Sequence, residues 1–270
     1  MPYARLPDGK TLHYRDSKPS NDDPIRETFI FTHGLGSSQN YYSPLLPAFT
    51  SSNFRCITFD TSGAARSPYN PSDGAHQSVP TLSSDLLALM DYLSVPKAIV
   101  VGHSMGGIVA AHLAATAPTR IMASVWIGPV YPSPKVAKIF DDRIQAVTEK
   151  GMEAMADTVP YAAPAASASP LVRSFIRELL LGQDVQGYVS HCKVIAEAAV
   201  PDYAGIRSPV LLIAGEEDKS APLEGCERMF GETGSEEKKM EVLERVGHWH
   251  CVEAPEEVAR TVIDWYHSIQ

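Results

Sequence analysis

The chain of 270 residues is 44% hydrophobic and 20% charged, with a net charge of −9, the proportions of an ordinary globular protein with room for one large α/β domain or two small ones. An acidic chain with no run of Lys and Arg interleaved with aromatics offers no footprint for the phosphate backbone of a nucleic acid or for an anionic membrane, so both are set aside as partners.

The amino terminus, "MPYARLPDGK", lacks the charged-then-apolar pattern of a signal peptide, and about eighteen apolar residues nowhere run together. The expected location is therefore cytoplasmic. After the Asp8-Gly9 turn, "KTLHYRD" reads as an outer hairpin strand. "ETFIFTHG", "RCITFD", "AIVVGHS", "ASVWIGP" and "VLLIAGEED" read as buried strands of branched residues, each running into a polar or glycine-rich loop. "TLSSDLLALMDYLSV" has helical spacing with a start signal in Thr81 or Ser83, and "APEEVARTVIDWYHSI" opens on Pro255 and early glutamates, as helices do. Strands alternating with helices predict a mostly parallel sheet with crossover helices.

One stretch breaks that rhythm. From Pro132 to Ala199 amphipathic helical pieces follow one another, "KVAKIFDDRIQAVTEKG", "SPLVRSFIRELLLG" and "VQGYVSHCKVIAEAAV", with no strand between them. The expectation is a helical lid over 132–199 on a core made of 1–131 and 200–270, since the insertion leaves the sheet just after a strand's carboxyl end, where such sheets bind ligands. The plainer alternative is a helical surface subdomain. By composition, "PYAAPAASASP" at 160–170 is its most flexible piece. The four cysteines, Cys56, Cys192, Cys226 and Cys251, form no C-x-x-C pair and no zinc-ligand cluster, so they read as reduced, packed thiols, with neither metal nor cofactor expected.

Chemistry concentrates in "VVGHSMGG". Ser104 lies between Gly102 and Gly106 in G-x-S-x-G, directly after a strand and before the helical "IVAAHLAATA", the setting in which a sharp turn lifts a nucleophilic hydroxyl above a sheet. A serine needs a general base, and the base needs an orienting carboxylate. "LLIAGEED" ends a strand on Asp218, and "RVGHWHCVEAP" then supplies two histidines, His248 and His250. Residues two apart in extended chain point to one side, so spacing does not choose between them.

Taken together, "THGLG", "GHSMGG", "GEEDKSAP" and "GHWHCVEAP" give the chain, over nearly its whole length, a pattern that resembles α/β-hydrolase-fold serine hydrolases. The resemblance implies an α/β-hydrolase fold with a mostly parallel eight-stranded sheet, flanking helices and an inserted helical lid. It places His248 at the base position, through the pattern G-H-x-x-x-x-E-x-P that continues with Glu253 and Pro255, and leaves His250 as a loop histidine lining or supporting the pocket. It places Asp218 at the acid position, with Glu216 and Glu217 as neighbouring loop acids. The rival acid position after the preceding strand reads Gly128-Pro129 and is empty of a carboxylate. Asp60 resembles a structural aspartate of the family, although Ala65 replaces the second glycine usual in D-x-x-G-x-G. Backbone N–H groups of Leu35 and Met105 match the oxyanion-hole positions.

Related haloalkane dehalogenases and epoxide hydrolases use an aspartate at the elbow, so Ser104 points to acyl chemistry. The whole-chain pattern most resembles 3-oxoadipate enol-lactonases and small carboxylesterases, which implies a small-molecule ester or lactone as substrate and a monomer or homodimer. The alternative is a slow-hydrolysing lactone-binding receptor or regulator of the same fold. Trp126, His250, Arg143 and Arg173 are the candidate substrate contacts, the arginines because a substrate carboxylate needs a cation beside it.

Overall fold

The computed structural model describes residues 2–20, 23–70 and 77–270. The branched runs form strands: β1 (Tyr3–Arg5), β2 (Thr11–Ser17), β3 (Thr28–Thr32), β4 (Arg55–Phe59), β5 (Ala98–His103), β6 (Ile121–Ile127), β7 (Val210–Gly215) and β8 (Lys238–Leu243). They make one sheet in the order β1-β2-β4-β3-β5-β6-β7-β8. β2 pairs antiparallel with β1 and β4, and every other pairing is parallel. Every residue of β5 and β7 is buried, as befits strands covered on both faces. β8, "KKMEVL", escapes a search for branched runs because it is the sheet's edge, where alternating charge guards against further pairing.

The two-residue period of the strands sorts the core. Ile30, Val100 and Leu212 pack with Leu86 and Val109, from α2 (Val79–Tyr92) and α3 (Met105–Thr116). Phe29, Phe31, Val101 and Ile213 pack with Phe49 and Trp265, from α1 (Leu46–Ser51) and, at the chain's end, α11 (Pro255–Ser268). Helix α2 starts earlier than Thr81 or Ser83. Its N-cap is Ser78, whose hydroxyl accepts from the Thr81 N–H while the Thr81 side chain accepts from the Ser78 N–H, so Thr81 is the inner half of a reciprocal cap.

Between β6 and β7 come five α-helices, a short 3-10 turn (Tyr203–Gly205) and no strand: α4 (Pro134–Lys150), α5 (Glu153–Ala156), α6 (Val159–Ala162), α7 (Pro170–Leu181) and α8 (Val185–Ala196). Helix α8 is fastened to the sheet's loops, with Ser190 Oγ donating to Gln77 Oε1 at 2.7 Å and His191 Nε2 to the Ser62 carbonyl at 2.8 Å. Helix α4 packs on α8 and buries only Val147 of its own length. The small-residue segment 160–170 is pinned rather than loose. Ala165 N–H donates to Glu253 Oε2 at 2.7 Å and Ala166 N–H to Glu217 Oε2 at 3.0 Å, while the Arg173 guanidinium donates to the carbonyls of Pro160, Ala165 and Ala166. Composition marks small residues as mobile, but here their backbone N–H and C=O groups have charged partners. After β7 come α9 (Leu223–Glu232) and α10 (His250–Glu253).

Among the described residues no helix is long and apolar enough to cross a membrane, and no cluster of His, Cys, Asp or Glu is arranged to hold a metal ion. All four cysteines are buried free thiols, and burial pushes Cys192, Cys226 and Cys251 up to about 12.

Candidate active site

β5 delivers Ser104 to the carboxyl edge of the sheet with φ 55° and ψ −115°, a backbone conformation unfavourable for a residue with a Cβ. The turn holds because Ser104 N–H donates to the Ile127 carbonyl at 3.0 Å and α3 begins at once with Met105. Gly102 and Gly106 leave no space for a side chain: a Cβ on Gly102 would strike the Gly106 carbonyl, and one on Gly106 would strike that of Thr32. The G-x-S-x-G spacing is thus a steric requirement of this turn.

His248 Nε2 lies 3.0 Å from Ser104 Oγ, and His248 Nδ1 lies 2.8 Å from Asp218 Oδ2. The other carboxylate oxygen of Asp218 accepts from the N–H groups of Ser220 and Ala221, both at 2.8 Å. Burial alone would raise the Asp218 carboxyl, but the neighbouring His248, its hydrogen bond, His250 and the Ala221 N–H outweigh it and hold the group below the usual carboxylate range. Gly128 explains why no acid follows β6. It has φ 48°, and a Cβ there would sit 2.6 Å from His250 Cε1 and 3.0 Å from Asp218 Oδ2.

The loop carrying His248 is held by its backbone. His248 N–H donates to the Ala163 carbonyl at 2.9 Å. Glu253 accepts from Gly247 N–H at 3.0 Å and Trp249 N–H at 2.7 Å, as well as from Ala165, so one carboxylate joins this loop to the insertion. The His248 carbonyl receives two imidazole donors, His103 Nε2 at 2.8 Å and His250 Nδ1 at 3.0 Å. Since a carbonyl only accepts, these nitrogens carry the protons. The remaining nitrogens, His103 Nδ1 and His250 Nε2, have no hydrogen-bond partner among the described residues, a state that costs about 1–3 kcal/mol for a buried polar group.

Ser104 and His248 open on a cavity of about 340 Å³. Leu35, Val130 and Trp249 wall it from the sheet side, and Val136, Phe140, Arg143, Leu180 and Tyr188 wall it from the insertion. A Cβ on Gly34 would come within 2.8 Å of Ser104 Cβ, so the "THGLG" loop passes directly against the serine. Met105 is the first residue of α3, and its N–H has no acceptor within the helix.

Of the candidate substrate contacts, only Arg143 reaches the wall, with its guanidinium 5.1 Å from the Phe140 ring centroid. Trp126 does not: it is fully buried and packs against Tyr203, because the two-residue alternation of β6 turns its side chain into the core on the α2–α3 face of the sheet. Arg173 is spent on the three carbonyls of the 160–166 segment and lies over Tyr161. His250 supports the site without lining it, with its ring fully buried beside Gly128 and Gly215. Lys219 and Tyr188 line the cavity although sequence reasoning passed over them; for Lys219 the signal was its place directly after Asp218. Asp60 is structural here, accepting from Gln39 N–H at 2.8 Å and lying 2.9 Å from His13 Nδ1.

The sheet order, the strained serine turn and the hydrogen-bonded Ser, His and Asp define a hydrolase-type site on an α/β sheet, and residues 29–261 match the alpha/beta hydrolase family, to which the chain belongs. Among its relatives, 3-oxoadipate enol-lactonase 2 of Acinetobacter baylyi is 28% identical over 264 residues, covering 91% of this chain and 94% of the relative. The proposed carbamate hydrolase RutD of Caulobacter sp. (strain K31) is 29% identical over 258 residues, 92% of each chain. The crystal structure of the enol-lactonase from Burkholderia xenovorans LB400 superposes with a TM-score of 0.88 at 27% identity, covering 98% of this chain and 100% of that one.

Proposed function

We propose that this protein is a serine hydrolase that cleaves a small carboxylic ester or lactone through an acyl-enzyme. The observation that carries this reading is the continuous hydrogen-bonded run from Asp218 through His248 to Ser104, ending in a cavity. Ser104 Oγ attacks the carbonyl carbon while His248 Nε2 takes its proton, and Asp218 holds the imidazole tautomer and steadies the imidazolium. The backbone N–H groups of Leu35 and Met105 stabilise the developing oxyanion, each such donor being worth about 3 kcal/mol of barrier. His248 then protonates the leaving oxygen, and a water that it deprotonates releases the acid. None of these steps calls for a cofactor. Helices over 132–199 serve as the lid on a core of 1–131 and 200–270.

Within that class the leading substrate is an enol-lactone carrying a carboxylate. Two things support this: the enol-lactonase relatives, and a cavity wall that carries Arg143 and Lys219 with no carboxylate among its described residues. A buried carboxylate needs such a partner. The test compares kcat/KM for an enol-lactone carboxylate with that for its methyl ester. The expected result is a preference for the acid that Arg143→Ala reduces by about ten-fold or more, the scale of one charged hydrogen bond. A preference for the neutral ester, unmoved by the substitution, rejects the carboxylate and leaves a general carboxylesterase or a slow-hydrolysing lactone receptor, which turnover rate separates.

Cleavage of a carbamate is the second reading, favoured by the RutD relatives. Carbamate turnover that exceeds lactone turnover would decide for it.

A further inference from the structure

We infer that His250 is a positioning residue which, together with His103, fixes the backbone of the base by donating a hydrogen bond to the His248 carbonyl. The inference rests on the hydrolase reading above and adds to it a residue that the triad does not include.

One carbonyl takes both donors, His103 Nε2 at 2.8 Å and His250 Nδ1 at 3.0 Å. They reach it from different elements: His103 ends β5 beside Ser104, while His250 begins α10. With His248 N–H bonded to the Ala163 carbonyl, the amide on each side of His248 is held, and the imidazole's placement between Asp218 and Ser104 is set by its own main chain.

Packing alone does not account for His250. Its second nitrogen has no partner among the described residues, an arrangement that an apolar side chain would avoid. Space is kept clear for the ring, since a Cβ on Gly128 would lie 2.6 Å from its Cε1 and one on Gly215 would lie 3.1 Å from its Nε2. Burial holds His250 down to about 4 and His103 well below its ordinary value, so both donate as neutral rings. A neutral donor orients the carbonyl without placing a second positive charge beside His248.

The test uses substitutions that separate the two ring nitrogens. Asn carries its amide N–H near the Nδ1 position, Gln carries it near Nε2, and Leu carries none. For p-nitrophenyl acetate, His250→Leu and His250→Gln should lose about ten-fold or more in kcat with KM little changed, and His250→Asn should stay within about three-fold of wild type. At His103, which donates through Nε2, the order should reverse, with Gln retaining kcat and Asn losing it. This second pair decides the matter if the His250→Leu protein does not fold. Asn and Gln behaving alike at both positions, a loss confined to KM, or a folded His250→Leu with wild-type kcat overturns the inference. Ser104→Ala is the control: if it still turns over, the hydrolase reading fails and takes this inference with it, whereas its inactivity alongside indifferent His250 variants overturns this inference alone.

Discussion

The backbone N–H of His248 donates to the carbonyl of Ala163 at 2.9 Å, so the residue at the base position hangs partly from the helical insertion. The same contact surface includes Gly247, where a Cβ would collide with the backbone of Ala163, Pro164 and Ala165. Gly247→Ala should therefore push the insertion off the loop and lower kcat by about 10²-fold, the scale expected of an ångström of displacement at a catalytic group. Glu253→Gln should act in the same direction, because whichever way its amide turns, the NH2 group stands against at least one N–H that the carboxylate now accepts from. Steady-state kinetics on folded variants checks both, and wild-type kcat in Gly247→Ala would show that the contact is incidental.

Ala65 offers a stability test remote from the chemistry. It has φ 47°, the left-handed conformation that the family's usual second glycine adopts freely and a residue with a Cβ resists by about 1–2 kcal/mol. The loop bears that strain at Ala65. Ala65→Gly should raise stability by about 1 kcal/mol with activity unchanged; the denaturant midpoint measures it, and a fall in midpoint would contradict it.

Acid should destabilise the fold through its buried histidines. Burial first, with nearby His33 second and opposed by the Ser62 hydrogen bond, lowers His191 from 6.5 to about 4. His250 is likewise lowered to about 4 by burial. Below pH 6.5 the unfolded chain takes up protons that the native chain refuses until near pH 4, so stability is complete above 6.5 and lost as pH falls through that window. Glu253, which burial raises, works against this trend over its own range. His191→Gln keeps a donor near Nε2 but does not titrate, and between pH 7 and 5 it should lose less stability than wild type by on the order of 2 kcal/mol. Equal losses would show that His191 is not a source of the acid sensitivity.

Ser104 was legible from its local motif, whereas Asp218 and His248 were placed by the resemblance of the surrounding patterns. Gly102 and Gly106 are sterically required around Ser104, and Asp218 follows closely on a fully buried strand that ends at Gly215. His250 was harder to place. The two-apart rule assumes extended chain, but α10 begins at His250 and turns its ring beneath His248. Trp126 and Arg173 were misplaced for a related reason: sequence gives a residue's element but not the direction in which it points relative to a cavity that two elements enclose. Ser78 and β8 were missed because a cap two residues before a proline and a charged edge strand carry little apolar signal.

The measurement that bears most directly on the account is covalent labelling by a fluorophosphonate, with the adduct located by peptide mass mapping and p-nitrophenyl acetate turnover followed in parallel. The adduct should fall on Ser104, and Ser104→Ala should remain folded while losing both label and several orders of magnitude of turnover, because nucleophile, base and acid act as a unit. An adduct on another residue, or a Ser104→Ala protein that still hydrolyses the ester at a comparable rate, would contradict it.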